Sequence, residues 1–167
     1  MLSIQDNYLP INDFKPLQRW FLSECSWVYT PYVLDRDIDE DDFQFVHMFW
    51  YPSKGVTSQD MSILNTLLNK INPRIIARIK ANLNIRTNET RIRDYHIDIG
   101  PYNHTTSIYY LNTNNGCTCF EDGTKVESVA NRLLTFDSNM KHAGSTCTDE
   151  KVRVVLNLNY FNYQNQE

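Results

Sequence analysis

The sequence lacks the features of an exported or membrane-spanning protein. Its 167 residues contain no apolar run that approaches the roughly 20 residues needed to cross a bilayer. Residues 1–6 carry neither the basic stretch nor the apolar stretch of a signal peptide. Four cysteines are too few and too scattered for a disulfide framework: Cys25, Cys117, Cys119 and Cys147. We therefore expect free thiols in a reducing cytoplasm.

An excess of positive charge is also missing. The formal net charge is −4, so we expect no general electrostatic attraction to nucleic acid or to anionic membranes. The charge is nevertheless uneven, because residues 35–42 are almost all acidic and residues 74–93 are rich in arginine. The acidic run is most simply a solvated loop, and its functional alternative is a lid or a surface for a basic partner. The basic stretch either neutralises the charge of this acidic run or lines a groove for nucleic acid.

The hydrophobic pattern divides the chain, which we take as a single domain over residues 1–167, into two parts. Residues 1–77 predict two amphipathic helices, with N-caps at Asn12-Asp13 and at Ser58, and a buried strand over residues 43–51. From Arg78 the period changes to 2, and short strands are predicted over Tyr95–Ile99, Ser107–Leu111, Cys117–Phe120, Arg132–Asp137 and Arg153–Tyr160. This pattern predicts a mainly β sandwich, jelly roll or barrel with the helices covering one outer face.

Two histidines and one aspartate form a candidate metal site. His96 and Asp98 are two residues apart on a predicted strand, and side chains at this spacing share one face. His142 follows the strand predicted over Arg132–Asp137. Two imidazoles and one carboxylate are the facial triad of non-haem iron(II) enzymes, which leaves room for a bidentate 2-oxo acid and dioxygen. Each histidine could alternatively be an ordinary buried residue, since His-x-Asp occurs often by chance.

Arg153 strengthens the metal interpretation. It lies eleven residues after His142 and begins the last predicted strand. If the arginine points into an apolar interior it needs an anionic partner, because a lone buried charge is very costly. The planar guanidinium matches a carboxylate bidentately, and the distal carboxylate of 2-oxoglutarate would meet this need.

Taken in order, these residues resemble the 2-oxoglutarate and iron(II)-dependent oxygenase superfamily, in particular its prolyl-hydroxylase-like branch with small members encoded by phages. The resemblance extends over about residues 78–161. It is carried by His96-x-Asp98, Ser107-Ile108-Tyr109-Tyr110-Leu111-Asn112, His142 and Arg153, and by the phage-type stretches at residues 110–116, 120–124 and 131–137.

The resemblance implies a double-stranded β-helix, with the N-terminal helices packed on one sheet, that holds iron(II) and uses 2-oxoglutarate and dioxygen. The implied metal ligands are His96, Asp98 and His142. Arg153 and Tyr110 would hold the distal carboxylate of 2-oxoglutarate, and Asn82 could reach the cosubstrate from the preceding strand. Many relatives carry a serine two residues after the arginine, and this sequence has Val155 there. Tyr110 would therefore be more important for holding the distal carboxylate.

The remaining candidate residues have plainer interpretations. His47, in an apolar run, is expected to be a core histidine with its hydrogen bonds satisfied. His104 is expected on a surface loop, with substrate contact as the alternative. Cys117 and Cys119 share a face and are expected to be small core residues rather than zinc ligands. Tyr109 should pack in the core, since its side chain has the opposite strand parity to that of Tyr110.

The expected function is hydroxylation of a substrate, with succinate and carbon dioxide as co-products and ascorbate as an additional reductant. A peptide or protein substrate, with proline as the first candidate, is favoured over a nucleobase or a small molecule. No membrane partner is expected, and nucleic acid is disfavoured. The competing interpretations are a non-catalytic jelly roll that binds a sugar, peptide or protein, and a cupin enzyme that does not use 2-oxoglutarate.

Overall fold

The structure, a computed structural model, describes residues 2–33, 43–100 and 103–162. The acidic run at 35–42, with its predicted lid, lies outside the described residues. The described helices are α1 (Ile11–Ser23), a 3-10 turn (Met61–Leu64) and α2 (Asn65–Ile71). The described strands are β1 (Leu2–Gln5), β2 (Val28–Thr30), β3 (Gln44–Tyr51), β4 (Gly55–Val56), β5 (Ile75–Ile85), β6 (Thr105–Tyr110), β7 (Asn114–Phe120), β8 (Lys125–Ser128), β9 (Arg132–Asp137), β10 (His142–Gly144) and β11 (Val152–Phe161).

The strands form a large and a small antiparallel sheet. The large sheet has the order β1-β9-β6-β11-β5-β3-β2, with β4 beside β3. The small sheet has the order β10-β7-β8. Side chains from both sheets line one cavity of about 1060 Å³. The mainly β jelly roll predicted from the sequence is confirmed.

Alternation along β11 gives the large sheet two different faces. Val154, Leu156 and Leu158 point to the outer face and are buried with the apolar side chains of the helices. Each such burial contributes about 1.5–3 kcal/mol to stability. Arg153 and Val155 point to the inner face and line the cavity. The helices therefore cover the outer face of the large sheet, as predicted, and the inner face of the same sheet lines the cavity.

Both predicted helix starts need correction. Helix α1 begins after Pro10, which supplies no side-chain cap, so that Asn12 and Asp13 lie within its first turn. Ser58 does not cap a helix directly: its hydroxyl accepts a hydrogen bond from the backbone N–H of Asp60 in the turn before the 3-10 segment. Helix α2 ends at Ile71, because the next residue, Asn72, adopts φ +53°, a left-handed conformation that asparagine tolerates.

The strand predicted over Tyr95–Ile99 is wrong. This segment makes a single antiparallel bridge, in which His96 and His142 exchange two backbone hydrogen bonds of 3.0 Å. The prediction for His104 is also wrong, because the residue is buried at 7% exposure. Its backbone exchanges hydrogen bonds of 3.1 Å with Ser138, which draws the loop into the fold.

No helix in the described part of the chain is long and apolar enough to cross a membrane.

Candidate metal and cosubstrate site

The three predicted metal ligands lie together. One ligand atom from each of His96, Asp98 and His142 falls within 4.8 Å of the other two. His96 Nε2 is 3.7 Å from Asp98 Oδ1, and His142 Nε2 is 3.7 Å from Asp98 Oδ2. The backbone bridge between the two histidines brings their rings to a centroid separation of 4.9 Å. Two imidazole nitrogens and one carboxylate therefore converge on one point, leaving the remaining directions open.

The tautomers of both histidines suit a metal. His96 Nδ1 lies 3.1 Å from the carbonyl oxygen of Asp94, and His142 Nδ1 lies 3.3 Å from that of Met140. A carbonyl only accepts, so Nδ1 carries the proton in each ring and Nε2 keeps its lone pair. Burial lowers the pKa of His142, which favours the neutral ring that a metal needs.

The carboxylate of Asp98 is buried but ionised. Burial alone would raise its pKa, but the charge of Arg78 and the contacts with His96, His142 and Asn159 hold the pKa of Asp98 well below its usual range. The guanidinium of Arg78 lies 2.8 Å from Oδ1. The site thus offers a charged oxygen ligand to a cation.

Arg153 lies in the same cavity, as predicted. It is only 2% exposed, and burial lowers its pKa. Its Nε donates to the hydroxyl of Ser128 at 2.8 Å, and Nη2 donates to the carbonyl of Cys117 at 3.2 Å. No acidic side chain within residues 2–33, 43–100 and 103–162 forms an ion pair with it. A buried cation with only neutral partners is a site for an anionic ligand.

Tyr110 lies beside Arg153, and its predicted contact with the cosubstrate stays a prediction. Its ring lies 5.8 Å from the guanidinium carbon of Arg153, yet Tyr110 does not contribute to the cavity wall. Its hydroxyl donates to Thr118 Oγ1 at 2.8 Å, and burial raises the pKa of Tyr110 to about 12. Thr118 does line the cavity. Sequence reasoning missed this threonine, although its parity on β7 places it on the inner face.

Asn82 and Val155 are direct partners across β5 and β11, and both line the cavity. Val155 lies between Arg153 and Asn157 on the inner face of β11 and forms an apolar part of the wall. Asn82 therefore lies on the cavity wall. Its contact with a cosubstrate stays a prediction.

The plainer assignments largely agree with the structure. His47 is half-buried and satisfied, with Nδ1 2.7 Å from the carbonyl of Ser26 and Nε2 2.8 Å from the hydroxyl of Ser58. The hydroxyl of Tyr109 donates to Asn131 in the core, as parity predicts. The sulfur atoms of Cys117 and Cys119 lie 3.2 Å apart as free thiols.

Comparison with known proteins gives similarity in structure only. No protein-family model and no curated protein matches the sequence. Among solved structures, a prolyl hydroxylase from Trichoplax adhaerens, in complex with a peptide fragment of the hypoxia inducible factor oxygen degradation domain, is 17% identical. The match covers 96% of this chain and 83% of that one, with a TM-score of 0.59.

Two bacterial structures are similar in the same way. A prolyl-4-hydroxylase from Pseudomonas putida is 14% identical, with a TM-score of 0.62 over 96% of this chain and 92% of that one. A member of the 2OG-Fe(II) oxygenase family from Burkholderia pseudomallei is 11% identical, with a TM-score of 0.67 over 98% and 86% of the two chains. The chain therefore has the fold of the 2-oxoglutarate and iron(II)-dependent oxygenases, in the form found in prolyl hydroxylases.

Proposed function

We propose that the protein is a 2-oxoglutarate and iron(II)-dependent oxygenase. One observation carries the proposal: an open cluster of two histidines and a carboxylate shares a cavity with a buried arginine that has only neutral partners. A non-catalytic jelly roll has no need for this combination. A metal-only cupin would leave the charge of Arg153 without a purpose.

The donor set fits iron(II). His96, Asp98 and His142 would hold the metal and leave three positions open. Bound there, iron(II) supplies the oxidising chemistry that couples decarboxylation of 2-oxoglutarate by dioxygen to hydroxylation of the substrate. The residues of the chain orient the ligands, hold Nδ1 of each imidazole against a backbone carbonyl so that Nε2 faces the metal, and shield the site within the cavity.

Arg153 and Thr118 would hold the distal carboxylate of 2-oxoglutarate. Thr118 Oγ1 accepts hydrogen bonds from the hydroxyl of Tyr110 and, at 3.4 Å, from Arg153 Nη2. With both lone pairs engaged, the hydroxyl of Thr118 is left to donate its own proton to an acceptor in the cavity. Tyr110 then acts through Thr118, and this pair takes the place of the serine that Val155 replaces.

A peptide with a prolyl residue is the substrate that we propose. Four residues of the cavity wall are also among the exposed large apolar residues: Tyr32, Tyr51, Tyr95 and Ile97. Aromatic rings at the cavity mouth suit the apolar ring of proline. Two of the solved structures with this fold are prolyl hydroxylases, and one of them was solved with a peptide.

Nucleic acid is the weaker candidate, because two arginines of the basic stretch, Arg78 and Arg93, have partners within the protein. Arg78 contacts Asp98 and donates from Nε to Asn159 at 3.0 Å. Arg93 donates to Asn84 at 2.6 Å. Arginines committed to internal partners are poorly placed to neutralise phosphates.

The decisive experiment measures succinate formation with iron(II), ascorbate and 2-oxoglutarate against prolyl peptides, free amino acids and single-stranded DNA. We expect turnover with prolyl peptides, and loss of all turnover in D98A and H142A. Anaerobic titration of the wild type with iron(II) and 2-oxoglutarate should give the visible charge-transfer band of the chelate. Retained turnover in either variant, or no band in the wild type, would sink the proposal.

A further inference from the structure

Asp98, unlike the two histidines, lies outside the backbone bridge that joins His96 to His142. Among the described residues 95–100, only His96 forms a backbone bridge to the rest of the fold, and Asp98 lies beyond it. A carboxylate on such a segment can rotate unless other side chains restrain it. Side-chain contacts must therefore determine where its two oxygens point.

Two asparagines of the last strand provide these contacts. Asn157 Nδ2 donates to Asp98 Oδ2 at 2.9 Å, and Asn159 Nδ2 donates to the same oxygen at 3.1 Å. The two residues are two apart on β11, so both amides project from its inner face. Two side-chain amides on a central strand of the large sheet therefore hold Oδ2 of Asp98.

Asn159 is itself held on every side. It is fully buried, its Nδ2 also donates to Thr106 Oγ1 at 3.0 Å, and its Oδ1 accepts from Arg78 Nε at 3.0 Å. Arg78 is its direct partner across β5 and β11, and the same guanidinium lies 2.8 Å from Asp98 Oδ1. Asn159, Arg78 and Asp98 thus contact one another in a closed ring, which holds the carboxylate of Asp98.

The two oxygens of Asp98 are therefore not equivalent. Oδ2 accepts two N–H groups and has its two in-plane lone pairs engaged. Each oxygen lies 3.7 Å from Nε2 of one histidine, Oδ1 from that of His96 and Oδ2 from that of His142. Oδ1 has only the guanidinium of Arg78 as a further described partner, so one of its lone pairs remains. A metal ion can approach Oδ1 without displacing either amide.

We infer that Asn157 and Asn159 are positioning residues that orient Asp98 to bind the metal through Oδ1 alone. This inference deepens the proposed function and depends on it. Two buried amides on the inner face of a central strand are costly unless they are hydrogen-bonded. Groups that orient metal ligands in this way contribute about 10- to 100-fold to metal affinity.

The first test replaces Asn157, whose described contact is the single bond to Asp98, with leucine of similar size. Co(II) titrated into metal-free N157L should bind about 10- to 100-fold more weakly than to the wild type. Its visible absorption should also change, since Asp98 loses its fixed direction. N159L should behave likewise and should also lower the melting temperature, because it breaks three contacts.

Ser107→Ala is the matched control for lost stability. Its hydroxyl bonds Thr135 and Tyr160 away from the cavity, so S107A should lower the melting temperature and leave Co(II) affinity unchanged. Wild-type Co(II) affinity and spectrum in N157L would overturn the inference while leaving the proposed function intact. Failure of the wild type itself to bind Co(II) would overturn both.

A crystal structure of the wild type with Mn(II) tests the choice of oxygen. The inference expects the metal on the oxygen that faces Arg78, with both amides still bonded to the other oxygen. A metal bound to the amide-facing oxygen, with Asn157 or Asn159 displaced, would overturn it.

Discussion

Gly116 lies so close to Arg153 that no side chain fits between them. A β-carbon on Gly116 would be 2.7 Å from Cδ of Arg153 and 2.9 Å from the carbonyl oxygen of Thr146. Gly116 belongs to β7 of the small sheet and Arg153 to β11 of the large one. The two sheets are therefore in close contact where the arginine is held, and glycine permits this contact because it has no β-carbon.

Gly116→Ala should displace the arginine and weaken binding of 2-oxoglutarate. Overpacking costs of about 1–3 kcal/mol correspond to roughly a 5- to 150-fold loss of affinity. Titration with 2-oxoglutarate in the presence of Co(II) measures this loss. Binding of Co(II) alone should be unchanged, because Gly116 contacts none of the three metal ligands; equal losses for both ligands would contradict the steric explanation.

Arg153→Met should separate cosubstrate binding from folding. It removes a buried charge that has only neutral partners, so the variant should be about as stable as the wild type or more stable. Thermal unfolding with Co(II) should then show a rise in melting temperature on addition of 2-oxoglutarate for the wild type and no rise for R153M. Stabilisation of R153M by 2-oxoglutarate would show that another residue holds the distal carboxylate.

Thr118→Val and Tyr110→Phe distinguish a direct contact from an indirect one. T118V removes the hydroxyl that faces the cavity, while Y110F removes only the donor behind it. We expect roughly a 10- to 150-fold rise in KM for 2-oxoglutarate in T118V, because a hydrogen bond to a charged group contributes about 1.5–3 kcal/mol. Y110F should have a smaller effect. A larger effect in Y110F would restore the direct role that the family resemblance implies for the tyrosine.

Asn131→Ala should destabilise the fold without involving the site. Its amide accepts hydrogen bonds from the backbone N–H of Leu9 and the hydroxyl of Tyr109, and it donates to the carbonyl of Leu9. Losing these three buried bonds should cost about 2–4 kcal/mol in urea unfolding. Asn139→Ala, on the exposed surface, is the control and should stay within about 0.5 kcal/mol. A similarly small loss in N131A would show that water replaces the amide.

Much of the fold follows from local patterns in the sequence. The change of period at Arg78 and the alternation along β11 predict a sandwich of strands with helices on one face. The same parity places Tyr109 in the core and Arg153 in the cavity, because adjacent residues of a strand face opposite sides. These features are local, so no knowledge of distant contacts is needed to derive them.

Contacts between distant segments determine the rest of the site. The segment of His96 and Asp98 is no regular strand, and the direction of Asp98 depends on Asn157 and Asn159, about sixty residues away. Thr118 lies between Tyr110 and the cavity because β7 packs against the large sheet at that point. The sequence by itself determined which residues could bind a metal and an anion, since that follows from side-chain chemistry and strand parity. Only the tertiary structure decided which neighbours hold those residues in place, because hydrogen bonds between remote strands leave no periodic signal.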